Sequence, residues 1–277
     1  MFWICVLFVI FFKMMLPKVT VITVVYNAVQ TIEATIQSVL QQSYPNLEYI
    51  IIDGGSGDGT IEVIRKYVDR ITYWISEPDR GIYDAMNKGI RLANGDWVNF
   101  MNAGDTFFNN DTLLLLQQAF SDDSVSVVYG DNISVFSWGK YLVKAYDLRR
   151  ILTNGITFCH QSSFVNRKVL QNICFDLNYK ICADYNLFYQ LYIRNNKFLY
   201  MPIPICSFMA DGFASQNYIR FYKEQLKIRG KKRTIGDVCK IIEKYLYSIA
   251  LKIMPNVLIN YIRKKRYSKD PNMIFIS

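Results

Sequence analysis

The chain has 277 residues, 51% of them hydrophobic, and carries 32 Lys and Arg against 23 Asp and Glu for a net charge of +9. That length and apolar content fit one large α/β domain with an appendage and exclude a disordered or fibrous chain. Fifteen of the 32 basic residues but only four of the 23 acidic ones lie after residue 216, leaving 17 against 19 before it, so the near-neutral body is not built for nucleic acid and the tail suits an anionic surface.

Residues 1–12 are a continuous apolar run closed by Lys13. As a helix the run reaches roughly 18 Å, short of the ~30 Å hydrocarbon core. It lacks the basic leader and small-residue cleavage site of a signal peptide. Two readings stay open, a short monotopic anchor or an overcalled start codon with the chain beginning at Met14 or Met15; a fold starting cleanly at Pro17 favours the second. Both keep the body cytoplasmic. The expected organisation is an apolar segment over 1–16, a catalytic domain over 17–216 and a basic amphipathic helical region over 217–277.

Residues 18–26 (KVTVITVVY) are β-branched and apolar and predict a buried strand. Asn27 ends it, and an amphipathic helix over 31–41 carries Ile32, Ile36, Val39 and Leu40 on one side before Pro45. A second strand over 47–52 runs into Asp53-Gly54-Gly55-Ser56-Gly57-Asp58-Gly59-Thr60. A helix over 61–68 follows, capped by Asp58 or Thr60. A third strand lies around 71–76, then Pro78-Asp79-Arg80-Gly81, a helix over 82–93, and a fourth strand over 96–101 ending in Asn102-Ala103-Gly104-Asp105. Repeated βα units of this kind imply a parallel, doubly wound sheet. The second half is less regular, with strands over 126–129, 140–146, 162–166 and 198–203 and a helix over 184–194. Beyond 216 the pattern is basic and helical. An apolar helix over 238–253 lies between the basic runs 229–233 and 263–266, a pattern read either as a membrane-interface helix or as a solvated basic face.

In an open α/β sheet, ligands bind beyond the carboxyl ends of the strands, which places Asp53 at a ligand crevice, and the glycines let backbone approach a ligand. Turn chemistry alone is the other reading. Asp105 follows a buried strand at the same edge. It suits a hard divalent cation, which takes oxygen ligands, or an Asx turn. Six cysteines without metal spacing and one histidine, His160, exclude a His-rich metal site and describe a reduced chain. Trp138, Tyr141, Tyr179 and Tyr185 are read as sugar-stacking or as core.

Four ordered motifs resemble family 2 of the glycosyltransferases, with the GT-A fold, over 19–105 strongly and 157–191 moderately. They are Ile22-Thr23-Val24-Val25-Tyr26-Asn27, the Asp53–Thr60 glycine run, Asp79-Arg80-Gly81 with Ala85-Met86-Asn87-Lys88-Gly89 and Ala93-Asn94-Gly95-Asp96, and Asn102-Ala103-Gly104-Asp105 in place of the family's DxD metal motif. The nearest type is the bacterial surface-polysaccharide, colanic-acid-type enzyme. The resemblance implies an inverting transfer from a nucleotide-diphosphate sugar to a lipid-linked or other glycan acceptor. Tyr26, Asn27, Asp53, Ser56, Asp79, Arg80, Asn87, Lys88 and Asn102 would hold the nucleotide sugar, with Asp105 on a Mn2+ or Mg2+ cofactor. His160 and Gln161 would stand beside the acceptor, His160 being equally readable as structural. Asp184, opening the 184–194 helix, would be the general base, a plain N-cap being its alternative. Two departures are Gly54, where the family has a second aspartate, and the survival of Asp105 as the only carboxylate of the metal motif.

The basic tail, with a lipid-linked acceptor to be met, points to peripheral attachment to the inner face of the plasma membrane, and the near-neutral body to no nucleic-acid partner. A nicotinamide-dependent oxidoreductase needs G-x-G-x-x-G after the first strand, and Tyr26-Asn27 stands there instead. A non-catalytic membrane scaffold on a degenerate transferase fold is the remaining alternative.

Overall fold

Strand β1 (Val19–Val25) is buried along its whole length, as its run of β-branched residues requires. This is a computed structural model, and it describes residues 16–153, 155–210, 217–230 and 254–276 with positions 236, 238, 241–243 and 245–246. The 1–12 apolar run lies outside the described residues. So does most of the expected 238–253 helix, whose described positions are helical.

Helix α1 (Ile32–Leu40) buries Ile32, Ile36 and Val39 as its spacing predicts. Strand β2 (Leu47–Asp53) lies parallel to β1, with Val25 opposite Asp53. Helix α2 (Thr60–Arg65) ends sooner than expected, its last turn replaced by a 3-10 turn at Val68–Arg70. Val68, expected on the apolar face of the helix, is 45% exposed, while Tyr67 packs against the core. The N-cap is Gly59, at φ +101° and without a side-chain cap bond, so neither expected cap holds; the Asp58 carboxylate instead accepts the N–H of Thr60, the first helical residue, at 3.0 Å and its hydroxyl at 2.6 Å. Strand β3 (Tyr73–Ser76), helix α3 (Ile82–Leu92) and strand β4 (Trp97–Phe100) complete the parallel half. Short pieces follow: strand β5 (Thr106–Phe107) and helices α4 (Thr112–Leu115) and α5 (Gln117–Phe120).

The second half contains strands β6 (Val127–Phe136), β7 (Gly139–Val143) and β8 (Ser163–Asn166), helices α6 (Arg167–Asn172) and α7 (Ala183–Ile193), and strand β9 (Phe198–Met209). The chain continues with helix α8 (Tyr218–Ile228), helix α9 (Asn256–Tyr267) and strand β10 (Met273–Ile276). Strands β6 and β9 outrun their expected lengths because each supports the other as a parallel pair, while β6 also forms a hairpin with β7.

The sheet order is β10-β7-β6-β8-β4-β1-β2-β3. It is parallel through β4-β1-β2-β3 and antiparallel where β8, β7 and β10 join. Alternating side chains feed two cores. Ile22, Val24, Ile50 and Ile52 pack with residues of α3 and α7 on one face, and Val21, Val25 and Ile51 with residues of α1 on the other. This is the doubly wound α/β arrangement expected, and it brings the carboxyl ends of β1, β2, β3 and β4 to one edge.

Candidate active site

The parallel register aligns Val25, Asp53 and Ser76 across three neighbouring strand ends. Asp53 does not reach out from that edge. It is 0% exposed, and its Oδ2 accepts the N–H groups of Gly55 at 3.0 Å and Ser56 at 2.9 Å and the Ser76 hydroxyl at 2.6 Å. The Ser56 hydroxyl donates to Asp53 Oδ1 and accepts the Asn27 N–H at 2.7 Å, while Asn27 Oδ1 accepts the Gly57 N–H at 2.9 Å. Asp53, Ser56 and Asn27 therefore build the glycine loop from within, because a carboxylate at a strand end is stabilised most by the orphan N–H groups nearest to it.

Tyr26, 65% exposed, and half-buried Asp79 cover that loop. A Cβ at Gly54 would meet Asp79 Oδ2 at 2.6 Å and the Tyr26 ring at 3.4 Å, so the bare glycine is what admits both groups. Asp79 Oδ1 accepts the Gly81 N–H at 2.7 Å. Arg80 is exposed and paired with Asp84 at 3.1 Å. Lys88 is turned to Glu77 at 2.8 Å and to the Pro78 carbonyl at 3.0 Å, bracing the turn that carries Asp79. Asn87 lies away from the cleft. Its amide donates to the Phe175 carbonyl and accepts the Phe175 N–H, both at 2.9 Å, clamping α3 to the chain before α7.

The remaining expected residues converge. Asn102, Asp105, His160, Gln161 and Asp184 all line one cavity of about 690 Å³. The Asn102–Asp105 turn needs Gly104 at φ +98°, and Thr35 of α1 pins it by accepting the Gly104 N–H at 2.9 Å and donating to the Asp105 carbonyl at 2.8 Å. Asn99 of β4 donates to the carbonyls of Gln161 and Ser163 at 2.9 and 2.8 Å, which seats the His160–Ser162 turn against the same strand. Gln161 in turn donates to Asp105 Oδ2 at 2.7 Å.

Asp184 stands on the first turn of α7, whose N-cap is Cys182. His160 Nδ1 lies 3.4 Å from Asp184 Oδ2, and His160 Nε2 lies 3.2 Å from the Asn102 amide nitrogen. Asp184 Oδ1 accepts the Tyr185 N–H at 2.8 Å and lies 3.2 Å from the Tyr83 hydroxyl, which also donates to the Ile181 carbonyl at 2.6 Å. Asp184 is thus no plain N-cap. Its carboxylate is oriented by an imidazole and a phenol inside the cavity.

Burial pushes the Asp105 carboxyl up to about 6, the Gln161 hydrogen bond and the charge of His160 opposing it in part. For His160, burial works against the charged ring, but Asp184, Cys159 and Asp105 outweigh it and its pKa stands above the ordinary value. Burial, with Asp184 beside it, lifts the Tyr83 phenol well above its usual range.

Among the described residues no three His, Cys, Asp or Glu groups cluster as a metal site. Asn102 Oδ1 is buried and has no hydrogen-bond partner. An orphaned amide oxygen one turn from Asp105 fits a hard cation that takes most of its shell from phosphate and water.

Several lining groups lie outside the expected set. Tyr83 has a cue, since it sits between Arg80-Gly81 and Ala85-Met86. Lys144, Lys180 and Thr157 line the cavity too, although no motif singled them out. Among the four aromatic candidates, Tyr141, Tyr179 and Tyr185 are buried core residues and Trp138 stacks on Phe136.

Residues 20–174 match the model of the family described as glycosyl transferase family 2. An uncharacterized glycosyltransferase of Mycobacterium tuberculosis is 32% identical over 232 residues, covering 80% of this chain and 84% of that protein. A PGL/p-HBAD biosynthesis glycosyltransferase of Mycobacterium bovis is 27% identical over 262 residues, covering 90% of this chain and 99% of that protein. Among solved structures, S. aureus TarS 1-349 in complex with UDP is similar with a TM-score of 0.61 at 20% identity, covering 76% of this chain and 64% of that one. The mannosyltransferase PcManGT from Pyrobaculum calidifontis in complex with GDP-Man and Mn2+ gives a TM-score of 0.61 at 19% identity, covering 85% of this chain and 71% of that one. At such identities the two structures establish a shared fold, that of GT-A glycosyltransferases.

Proposed function

The chain belongs to glycosyl transferase family 2, and from that membership we propose that it transfers a sugar, with inversion, from a nucleotide-diphosphate sugar to a lipid-linked glycan in cell-surface polysaccharide or glycolipid assembly. The observation that carries this reading is the meeting of Asn102, Asp105, His160 and Asp184 in one cavity. Family membership leaves the oxidoreductase reading without support, and Asp105 and Asp184 retained in one cavity speak against a non-catalytic scaffold.

The nucleoside lies over the glycine loop, against Tyr26 and Asp79, with Asp53, Ser56 and Asn27 fixing the loop beneath it. Asp105 and Asn102 Oδ1 would hold a Mn2+ or Mg2+ ion, which when bound offsets charge on the departing diphosphate. Asp184 takes the proton of the acceptor hydroxyl as its oxygen attacks the anomeric carbon opposite the diphosphate, whose bond to that carbon breaks. His160 and Tyr83 hold the Asp184 carboxylate in place. Lys144 and Lys180 at the cavity rim provide positive charge for phosphate groups of donor or acceptor.

The basic, partly apolar C-terminal surface supports peripheral attachment to the cytoplasmic face of the membrane, where a lipid-linked acceptor is met. Among the described residues no helix is long and apolar enough to cross a membrane.

A screen of UDP- and GDP-sugars with Mn2+ and a membrane-extract acceptor, scored by nucleotide release, tests the reading. Asp184→Asn is expected to lower turnover by roughly 10²–10⁴-fold, with nucleotide affinity unchanged within about twofold. Full turnover in that variant would remove Asp184 from the mechanism.

A further inference from the structure

Helix α8 lies outside the span matched to the family, yet it reaches the chain that carries Asp184. Glu224 of α8 is 8% exposed. Its Oε1 accepts the Lys180 N–H at 3.1 Å, and its Oε2 accepts the N–H groups of Ile181 and Cys182 at 3.0 Å each. Arg220, one turn earlier on α8, donates to Oε1 at 3.0 Å. One buried carboxylate thus gathers three consecutive N–H groups ending at the N-cap of α7, two residues before Asp184. The Cys182 N–H is one that a helix start would otherwise leave unpaired, and those of Lys180 and Ile181 belong to the chain leading into it.

The same three peptides touch the site from the other side. The Ile181 carbonyl accepts the Tyr83 hydroxyl, whose oxygen lies 3.2 Å from Asp184 Oδ1. A shift of the 180–182 backbone therefore moves both the start of α7 and the phenol that orients the base. Burial alone would raise the Glu224 carboxyl, yet the three N–H groups and Arg220 hold it below the usual glutamate value.

We propose that Glu224 is a positioning residue for Asp184: by fixing the 180–182 backbone from α8, it sets the direction in which the Asp184 carboxylate meets the acceptor hydroxyl. The proposal rests on the assignment of Asp184 as the base. It makes the C-terminal helix a support behind the cavity wall, which Lys180 and Ile181 line. The role acts on turnover and leaves the nucleotide edge, built by β1, β2 and β3, untouched. Glu224→Gln keeps the shape but replaces an acceptor oxygen by a donor facing an N–H. Glu224→Asp keeps the charge but withdraws it by one methylene.

The test is a double-mutant cycle of Glu224→Gln, and in parallel Glu224→Asp, with Asp184→Asn, read by nucleotide release from the donor found in the screen. Amide hydrogen exchange at 180–182 is followed in the same proteins. Glu224→Gln is expected to lower kcat about 10- to 100-fold and to speed exchange at 180–182, with KM for the donor within about twofold. In the Asp184→Asn background it should change turnover less than about twofold, because both substitutions then remove one function. Wild-type kcat in both Glu224 variants, with Asp184→Asn inactive, overturns the positioning role alone. Losses that multiply in the double variant also overturn it, since they mark an effect independent of the base. Full activity of Asp184→Asn instead overturns the assigned base, and the exchange at 180–182 then still reports whether Glu224 anchors that backbone.

Discussion

Burial lifts Asp105 to about 6, with Gln161 and His160 opposing it only in part. An unfolded aspartate titrates near 3.9. The folded state therefore keeps a proton that the unfolded chain releases, and cation-free stability falls as pH rises from about 4 to about 6 and stays lower above that window. At about 1.4 kcal/mol per pKa unit, two units amount to roughly 2–3 kcal/mol. Asp105→Asn keeps an oxygen for the Gln161 amide and cannot ionise. In EDTA its Tm should exceed that of the parent at pH 7.5 and match it near pH 4. A lower Tm at pH 7.5 would contradict this account. At the nucleotide edge, Gly54→Ala puts a methyl 2.6 Å from Asp79 Oδ2. Displacing Asp79 should weaken nucleotide binding by roughly tenfold, about 1.4 kcal/mol, measured by titration calorimetry, with little change in Tm.

Helix α3 is tied to the chain before α7 through Asn87, whose amide exchanges two hydrogen bonds with the Phe175 backbone. Asn87→Ala leaves a buried N–H and a buried C=O unpaired, which costs about 1–3 kcal/mol for each. Urea unfolding should show that loss, while nucleotide affinity per folded molecule stays as in the parent; weakened binding at full stability would return Asn87 to the nucleotide site. The residue shows where sequence stops being sufficient. Strands β1, β2 and β4 and helices α1, α3 and α7 were legible because each carries an apolar pattern long enough to declare itself. Strands β5 and β10 were not: β5 is two residues long, β10 follows a basic helical stretch with no turn-and-strand repeat to announce it, and they pair with the edges that β9 and β7 present. Asp105, in the turn after β4, and Asp184, on the first turn of α7, reach the cavity from the positions their place in the pattern suggested, and His160 and Gln161 reach it from the turn ahead of β8. The orientation of Asp53, Asn27, Asn87 and Lys88 was not legible in the sequence. A polar group in such a turn can face a ligand or close on nearby N–H groups, and only the path of the loop decides. Glu224 escaped for a related reason: its partners lie more than forty residues away.

At the scale of the molecule, the body is near neutral while the excess of basic residues follows residue 216. Helix α9 carries part of that charge on a surface held to the sheet through β10. Ile259 is buried, whereas Leu258, Tyr261 and Ile262 are 45%, 62% and 43% exposed, with Lys264, Lys265 and Arg266 in the last turn. Strand β10 is hydrogen-bonded to β7, and the Tyr146 hydroxyl donates to Asp270 at 2.6 Å. Tyr146 and Lys144 also line the cavity, so the basic surface borders it. Exposed apolar residues beside lysines are drawn to an anionic interface by about 1 kcal/mol per basic residue plus the apolar area buried, and salt screens the first part only. The full chain should therefore sediment with vesicles containing phosphatidylglycerol, less so as NaCl rises from low to physiological concentration, and weakly with phosphatidylcholine alone. Replacing Leu258, Tyr261 and Ile262 together by serine should weaken sedimentation at least about tenfold, a loss of about 1.4 kcal/mol, and leave nucleotide affinity unchanged, because none of the three lines the cavity. Binding that ignores lipid charge, or survives the triple substitution, would place membrane attachment elsewhere in the chain. Loss of turnover on a lipid-linked acceptor, with nucleotide release in detergent intact, would tie this surface to acceptor delivery, since detergent presents the acceptor without a bilayer.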